Sequence, residues 1–166
     1  MKKICIFNQK GGVGKTTTNI NLCAYLAMEG YKVLTIDIDP QGNTTSGLGL
    51  DKRNLEFSMY DVLTSNVSLK DVILKSELIQ NLYIAPATME LAGAEVEVIN
   101  RADRETILLN EINKIQDEFD FVFIDASKRE YVKYFELIKP HLTTKALIIA
   151  DNITSHAEKV QDFIDA

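Results

Sequence analysis

The chain has 166 residues, 46% of them hydrophobic and 25% charged, the composition of an ordinary folded globule long enough to bury a core in one domain. Its 18 Lys and Arg against 24 Asp and Glu give a formal charge of −6 and a pI near 5.0, so no broad nucleic-acid or membrane footprint is expected, and DNA binding is not predicted. The apolar run before Asn8 is too short for a secretory segment and no stretch approaches the ~20 apolar residues of a membrane span, which predicts a cytoplasmic protein with no membrane partner.

The first predicted element is a strand over ICIF (4–7), a short apolar run of the kind covered on both faces, and VLTID (33–37) is the second. Between them Ile20, Cys23, Ala24 and Ala27 fall at i, i+3, i+4 and i+7, one apolar helix stripe, with Gly30 placed to stop it. Strand, helix and strand make a βαβ unit. A Gly-, Thr- and Ser-rich loop, GNTTSGLGL (42–50), leads to short helices over SMYDVLT and LKDVILK and a brief strand over LYIAPA (82–87). A long helical region comes next; its later part carries Leu108, Ile112 and Ile115 on one stripe and ends near Phe119. FVFIDA (121–126) is the next strand, and Tyr131, Tyr134, Phe135 and Ile138 mark a helix stopped by Pro140. ALIIAD (146–151) is another strand, followed by a last helix with Ala157, Val160 and Ile164. Strands alternating with helices predict one α/β domain, a three-layer α/β/α sandwich doubly wound around a mostly parallel sheet of about five strands. Cys5 and Cys23 lie among apolar neighbours and read as small buried thiols, and His141 and His156 read as surface residues.

The chemistry is concentrated in NQKGGVGKTT (8–17), directly between the first strand and the first helix. Glycines let the backbone fold so that successive N–H groups point inward, and the helix start adds partial positive charge. Lys15 supplies a mobile cation for β- and γ-phosphates, and the Thr16 hydroxyl can ligate Mg²⁺. A nucleoside triphosphate suits this arrangement, held by Gly11, Gly12, Val13, Gly14, Lys15, Thr16 and Thr17, although Gln9 stands where the usual phosphate loop has its first glycine. Asp37 reads as a strand-end acid capping the loop that follows it.

KGGVGKTT with its extra lysine, Lys10, resembles the deviant Walker A box of the ParA-type partition ATPases, relatives of the MinD and nitrogenase-iron-protein ATPases; IDIDPQGNTTSGLGL (36–50) and IAPATMELAGAEVE (84–97) continue the likeness. The resemblance covers roughly residues 1 to 125. It implies ATP or ADP with Mg²⁺ as cofactors, ATP sandwiched between two subunits, and Lys10 reaching across to the partner's phosphates. It also implies that Asp39 helps place the attacking water and the Mg²⁺ shell and that Asp125, at the Walker B position, supports the metal. Both lysines and both carboxylates are of the right type, since phosphoryl transfer relies on positioning and charge stabilisation.

Beyond Asp125 the sequence departs from that pattern. The segment from Phe119 to Val160 resembles the second half of a class I, metal-dependent O-methyltransferase, which would make Asp125, Asp151 and Asn152 metal ligands and Lys128 the catalytic lysine. The expectation is therefore an engineered chimera with its junction near 119–126. Ser127 with Glu130, and Ser155 with Glu158, also read as capping boxes that start helices without any catalytic role. The two parents imply different sheets: a methyltransferase places the IADN strand beyond the FVFID strand, a partition ATPase on the other side of the first strand. The expected function is Mg·ATP or Mg·ADP binding through residues 10–17 with weak or absent hydrolysis, in a monomer, a nucleotide-dependent homodimer being the alternative. The rival readings are a recombined folding scaffold without activity and a remnant methyltransferase site.

Overall fold

The computed structural model describes residues 1–7, 12–104, 106–115, 118–126 and 149–150. Among these residues five parallel strands, β1 (Lys2–Phe7), β2 (Val33–Ile38), β4 (Leu82–Ala85), β5 (Phe121–Ala126) and β6 (Ile149–Ala150), share one sheet with a short antiparallel edge strand, β3 (Leu74–Lys75), in the order β3-β4-β2-β5-β1-β6. Among the described residues six α-helices accompany them: α1 (Lys15–Met28), α2 (Asn43–Gly47), α3 (Met59–Thr64), α4 (Leu69–Val72), α5 (Leu91–Glu97) and α6 (Ile107–Lys114).

Side chains alternate across the strands and so feed two apolar layers. Val33, Leu82, Ile84 and Phe123 join Cys23 and Ala27 of α1 on one face; Leu34, Ile36 and Val122 join Met59, Leu69, Leu91 and Ile112 of the other helices on the opposite face. Each large side chain sealed in these layers contributes roughly 1.5–3 kcal/mol relative to exposure. The expected three-layer sandwich with a mostly parallel sheet is therefore what forms. Gly30 ends α1 as anticipated, its amide closing on the Ala27 carbonyl and that of Tyr31 on the Leu26 carbonyl, and Cys23 is a buried thiol that donates to Asn19 Oδ1.

Two expected helices take another form. LKDVILK is helical only to Val72, because Leu74 and Lys75 pair with Ile84 and Tyr83 and the edge strand replaces a second helical turn. The long helical region before Phe119 is two helices, α5 and α6, separated by a turn in which Arg101 folds back. Its guanidinium donates to the carbonyls of Leu63 and Thr64 at the end of α3 and to the side chains of Asn66 and Asp103.

Strand order distinguishes the two parents proposed from sequence. β6 pairs with β1 through Ile6 with Ile149 and Phe7 with Ala150, while β5 is flanked by β1 on one side and β2 on the other. Both edges of β5 are thus occupied, and no strand can add beyond it. That is the order expected of the partition ATPases and excludes the methyltransferase order.

The end of the sheet where the strands begin is tied by polar and aromatic contacts. Lys2 and Lys32 flank Asp120: the Lys2 amide donates to its carbonyl, the Lys32 amide to its carboxylate at 2.8 Å, and its own amide to the Lys32 carbonyl. The Lys32 ammonium also lies over the rings of Tyr83 and Phe119, which meet edge to face.

Glu111 on α6 caps α4 from across the helical layer, its carboxylate accepting from the Leu69 amide at 3.0 Å while pairing with Lys114. Burial pushes this carboxyl up, but the bonds from Lys114, Leu69 and Ser68 and the Lys114 charge outweigh it and hold it below its ordinary value. A lowered folded-state value means stabilisation that is full above the ordinary carboxylate range and disappears as pH falls through the depressed value. Glu111→Ala is expected to cost about 1–2 kcal/mol at neutral pH, with the gap to wild type in thermal midpoint closing on acidification below about pH 4. Parallel melting curves across that range check it.

Candidate functional site

The strands carrying the predicted site residues end level with one another. In register, Asp125 lies between Ile6 of β1 and Asp37 of β2, and Ala126 lies between Phe7 and Ile38. The first strand therefore hands the chain to the glycine loop beside the exits of β2 and β5, at the carboxyl edge where open α/β sheets place ligands.

Gly12 and Gly14 adopt left-handed backbone, at φ 76° and 89°, turning the chain sharply into α1. Gly14 is the N-cap and has no side chain with which to cap the helix, and no carboxylate stands in the first turn. A helix start built this way presents its amides and its positive end to an anion. Lys15 and Thr16, the first two residues of α1, are half-buried with Val13 and Gly14, whereas Gly12 and Thr17 are exposed. Lys10 and Gly11 lie outside the described residues, as do Lys128, Asp151, Asn152, His141, His156 and the two predicted capping boxes at 127–130 and 155–158.

Asp39, half-buried, is the first residue after β2, and its Oδ1 accepts from the Gln41 amide at 2.9 Å, an Asx turn that holds the carboxylate over the start of the loop. Asp37 is fully buried and acts as the cap anticipated for it. One carboxylate oxygen accepts from the Thr45 amide at 2.9 Å and the Thr45 hydroxyl at 2.7 Å, the other from the Asp39 amide at 3.2 Å. Burial of a carboxylate is tolerable only with such donors around it.

Three buried polar residues escaped the sequence reading. Asn19 of α1 donates through Nδ2 to the hydroxyls of Thr35 on β2, at 2.8 Å, and Thr44 on α2, at 3.3 Å. The next residue, Thr45, accepts from the Ala87 amide at 3.0 Å while donating to Asp37. The helix bearing Lys15 and Thr16 is thereby joined to the segment bearing Asp39 by hydrogen bonds sealed from water. The available signal was position: Asn19 stands four residues before Cys23, so it extends the apolar stripe of α1 with a polar side chain that must find partners inside.

Among the described residues no group of His, Cys, Asp and Glu is arranged to hold a metal on its own, and no helix is long and apolar enough to cross a membrane.

A family model described as an AAA domain, AAA_31, matches residues 1–158. Among curated proteins the chain is similar to the sporulation initiation inhibitor protein Soj of Bacillus subtilis, 48% identical over 124 residues that cover 75% of this chain and 49% of that protein. It is also similar to the chromosome-partitioning ATPase Soj of Treponema pallidum, 44% identical over 124 residues, covering 75% of this chain and 47% of the relative. The chain thus spans about half the length of these curated relatives. Among solved structures, cobyrinic acid a,c-diamide synthase from Mycobacterium smegmatis with a bound ATP analogue and magnesium superposes with a TM-score of 0.81 at 29% identity, covering 99% of this chain and 68% of that one. The family match runs straight through residues 119–126, where a junction was expected. These comparisons lend no support to a methyltransferase-derived half or to a chimera.

Proposed function

The chain belongs to the AAA_31 family of AAA domains, and on that premise we propose that it binds Mg·ATP or Mg·ADP at the start of α1. The observation that carries the reading is the left-handed Gly14 leading into Lys15 and Thr16 at the carboxyl edge of the sheet, a helix start without a side-chain cap or first-turn acid. The bound ATP analogue and magnesium of the cobyrinic acid a,c-diamide synthase structure, and the word ATPase in the name of the Treponema pallidum relative, point the same way.

In this reading the amides of Gly12, Val13 and Gly14 cradle phosphate oxygens, with Gly11 and Thr17 at the margins of the loop, and the Lys15 ammonium sits against the β- and γ-phosphates. Thr16, Asp39 and Asp125 are the residues that would hold Mg²⁺, directly or through its waters; a hydroxyl and two carboxylates are the hard oxygen donors this ion takes. The magnesium would neutralise charge on the phosphates. Asp39 orients a water toward the terminal phosphate, and Lys10 reaches the phosphates of a second copy when two chains meet. Hydrolysis is slow in this proposal, and nucleotide occupancy is the primary activity.

Titration of a fluorescent ATP analogue with Mg²⁺ tests the site. Lys15→Ala is expected to weaken binding at least about tenfold, equivalent to ~1.4 kcal/mol, without altering the fold by circular dichroism. Equal affinity in the two proteins would overturn the proposal.

A further inference from the structure

Thr45 lies within the 36–50 segment, where the sequence reading gave it no role. Its hydroxyl carries a single proton, and that proton is committed to the Asp37 carboxylate at 2.7 Å; the same oxygen therefore accepts the Ala87 amide at 3.0 Å. Asp37 in turn receives the Asp39 amide on its second oxygen. The result is a directed chain, Ala87 N–H to Thr45 hydroxyl to Asp37 carboxylate, met from the other side by Asp39 N–H. Asp37, Thr45 and Ala87 are all fully buried, so water does not compete for these bonds.

The far end of the chain is itself fixed. Pro86 accepts the Met59 amide at 2.8 Å, where the capping box of Ser58 and Asp61 starts α3, so the exit of β4 is anchored to the opposite helical layer. On the near side, Thr44 is held to α1 by Asn19. Adjacent threonines on one short helix thus face different elements: Thr44 takes its position from the helix of Lys15 and Thr16, and Thr45 from the β4 exit. Asp39 hangs from the same network through its amide.

We propose that Thr45 is a positioning residue that transmits the fixed place of the β4 exit through Asp37 to the backbone of Asp39, setting where the Asp39 carboxylate stands relative to Thr16. The part of this inference that concerns turnover rests on the nucleotide reading above; the part that concerns the relay does not. Thr45→Val keeps the shape and removes the hydroxyl, whereas Thr45→Ser keeps the hydroxyl and removes a methyl, so packing and hydrogen bonding separate cleanly between the two.

The test is amide hydrogen exchange on the full chain, resolved at single residues, with nucleotide kinetics beside it. In Thr45→Val the Asp39 and Ala87 amides are expected to exchange at least about tenfold faster than in wild type, while Ile4 and Val122 in the centre of the sheet keep their rates, and Thr45→Ser restores the wild-type pattern. With Mg·ATP, Thr45→Val lowers kcat about tenfold and leaves KM within about threefold, again with recovery in Thr45→Ser. Unchanged Asp39 and Ala87 exchange in Thr45→Val, or failure of serine to restore it, overturns the relay. A fall in KM affinity as large as the fall in kcat overturns the positioning role, since that is the mark of general damage to the site. Wild-type protein that binds no nucleotide removes the proposed function alone, and the exchange comparison still decides the relay.

Discussion

Asp37→Ala is expected to lower the unfolding free energy by about 3 kcal/mol, a drop of roughly 6–12 °C in thermal midpoint for a chain of this size. Two effects oppose each other. Removing a buried carboxylate relieves the cost of keeping a charge out of water, and replacement of whole buried ionic groups by apolar ones is sometimes neutral. Here only the acceptor is removed. The Thr45 amide, the Thr45 hydroxyl and the Asp39 amide would be left facing a methyl group, and each stranded buried donor costs about 1–3 kcal/mol. The loss of partners therefore wins. Chemical denaturation of wild type, Asp37→Ala and Asp37→Asn measures it, with Asn expected between the other two because it retains one acceptor oxygen. An alanine variant as stable as wild type would show that Asp37 is not what holds the loop.

Gly42→Ala should be comparably damaging for a different reason. Gly42 sits at φ 59°, and a Cβ there would lie 2.7 Å from the Ala87 carbonyl oxygen and 2.8 Å from Cδ of Lys52. The lysine arm can swing away at the loss of its 2.7 Å bond to the Gln41 carbonyl, but the Ala87 carbonyl belongs to a residue whose amide is already held by Thr45. Left-handed strain accounts for about 1–2 kcal/mol and the backbone collision for the rest of an expected total near 3 kcal/mol. Asparagine tolerates the left-handed conformation and so separates the two terms. If the collision dominates, Gly42→Asn melts as low as Gly42→Ala; a clearly milder asparagine variant would assign the cost to strain alone.

Much of the framework was legible in the residues because burial on both faces writes an unbroken apolar run. The strands predicted over VLTID (33–37) and FVFIDA (121–126), apolar but for Thr35 and the aspartates at their ends, both formed. The Lys15 and Thr16 motif was legible because its meaning depends on local spacing after a strand. What failed depended on contacts distant in sequence. Leu74 and Lys75 are both exposed, so they lack the alternation that marks a half-buried strand, and only pairing with Ile84 and Tyr83 makes them one. Arg101 gave no sign that it would cap α3 and split a helical region in two. Asn19, Thr44 and Thr45 were invisible for the same reason: hydrogen-bond complementarity between elements has no period. The reading of a second parent after Asp125 came from short shared strings around a strand-end aspartate, a feature that unrelated doubly wound sheets have in common, and the pairing of β6 with β1 separates them.

The place of β5 between β1 and β2 has a consequence for how this molecule comes into being. The two earliest strands never touch; they wait on either side of a slot whose occupant is synthesised more than eighty residues after β2. Until it arrives, both edges of β1 and the facing edge of β2 have no mate, because β6 is made later still. Assembly is governed by a late, long-range insertion, slow by the standard of locally wired folds, and a ribosome paused before Phe121 would hold a chain prone to aberrant association.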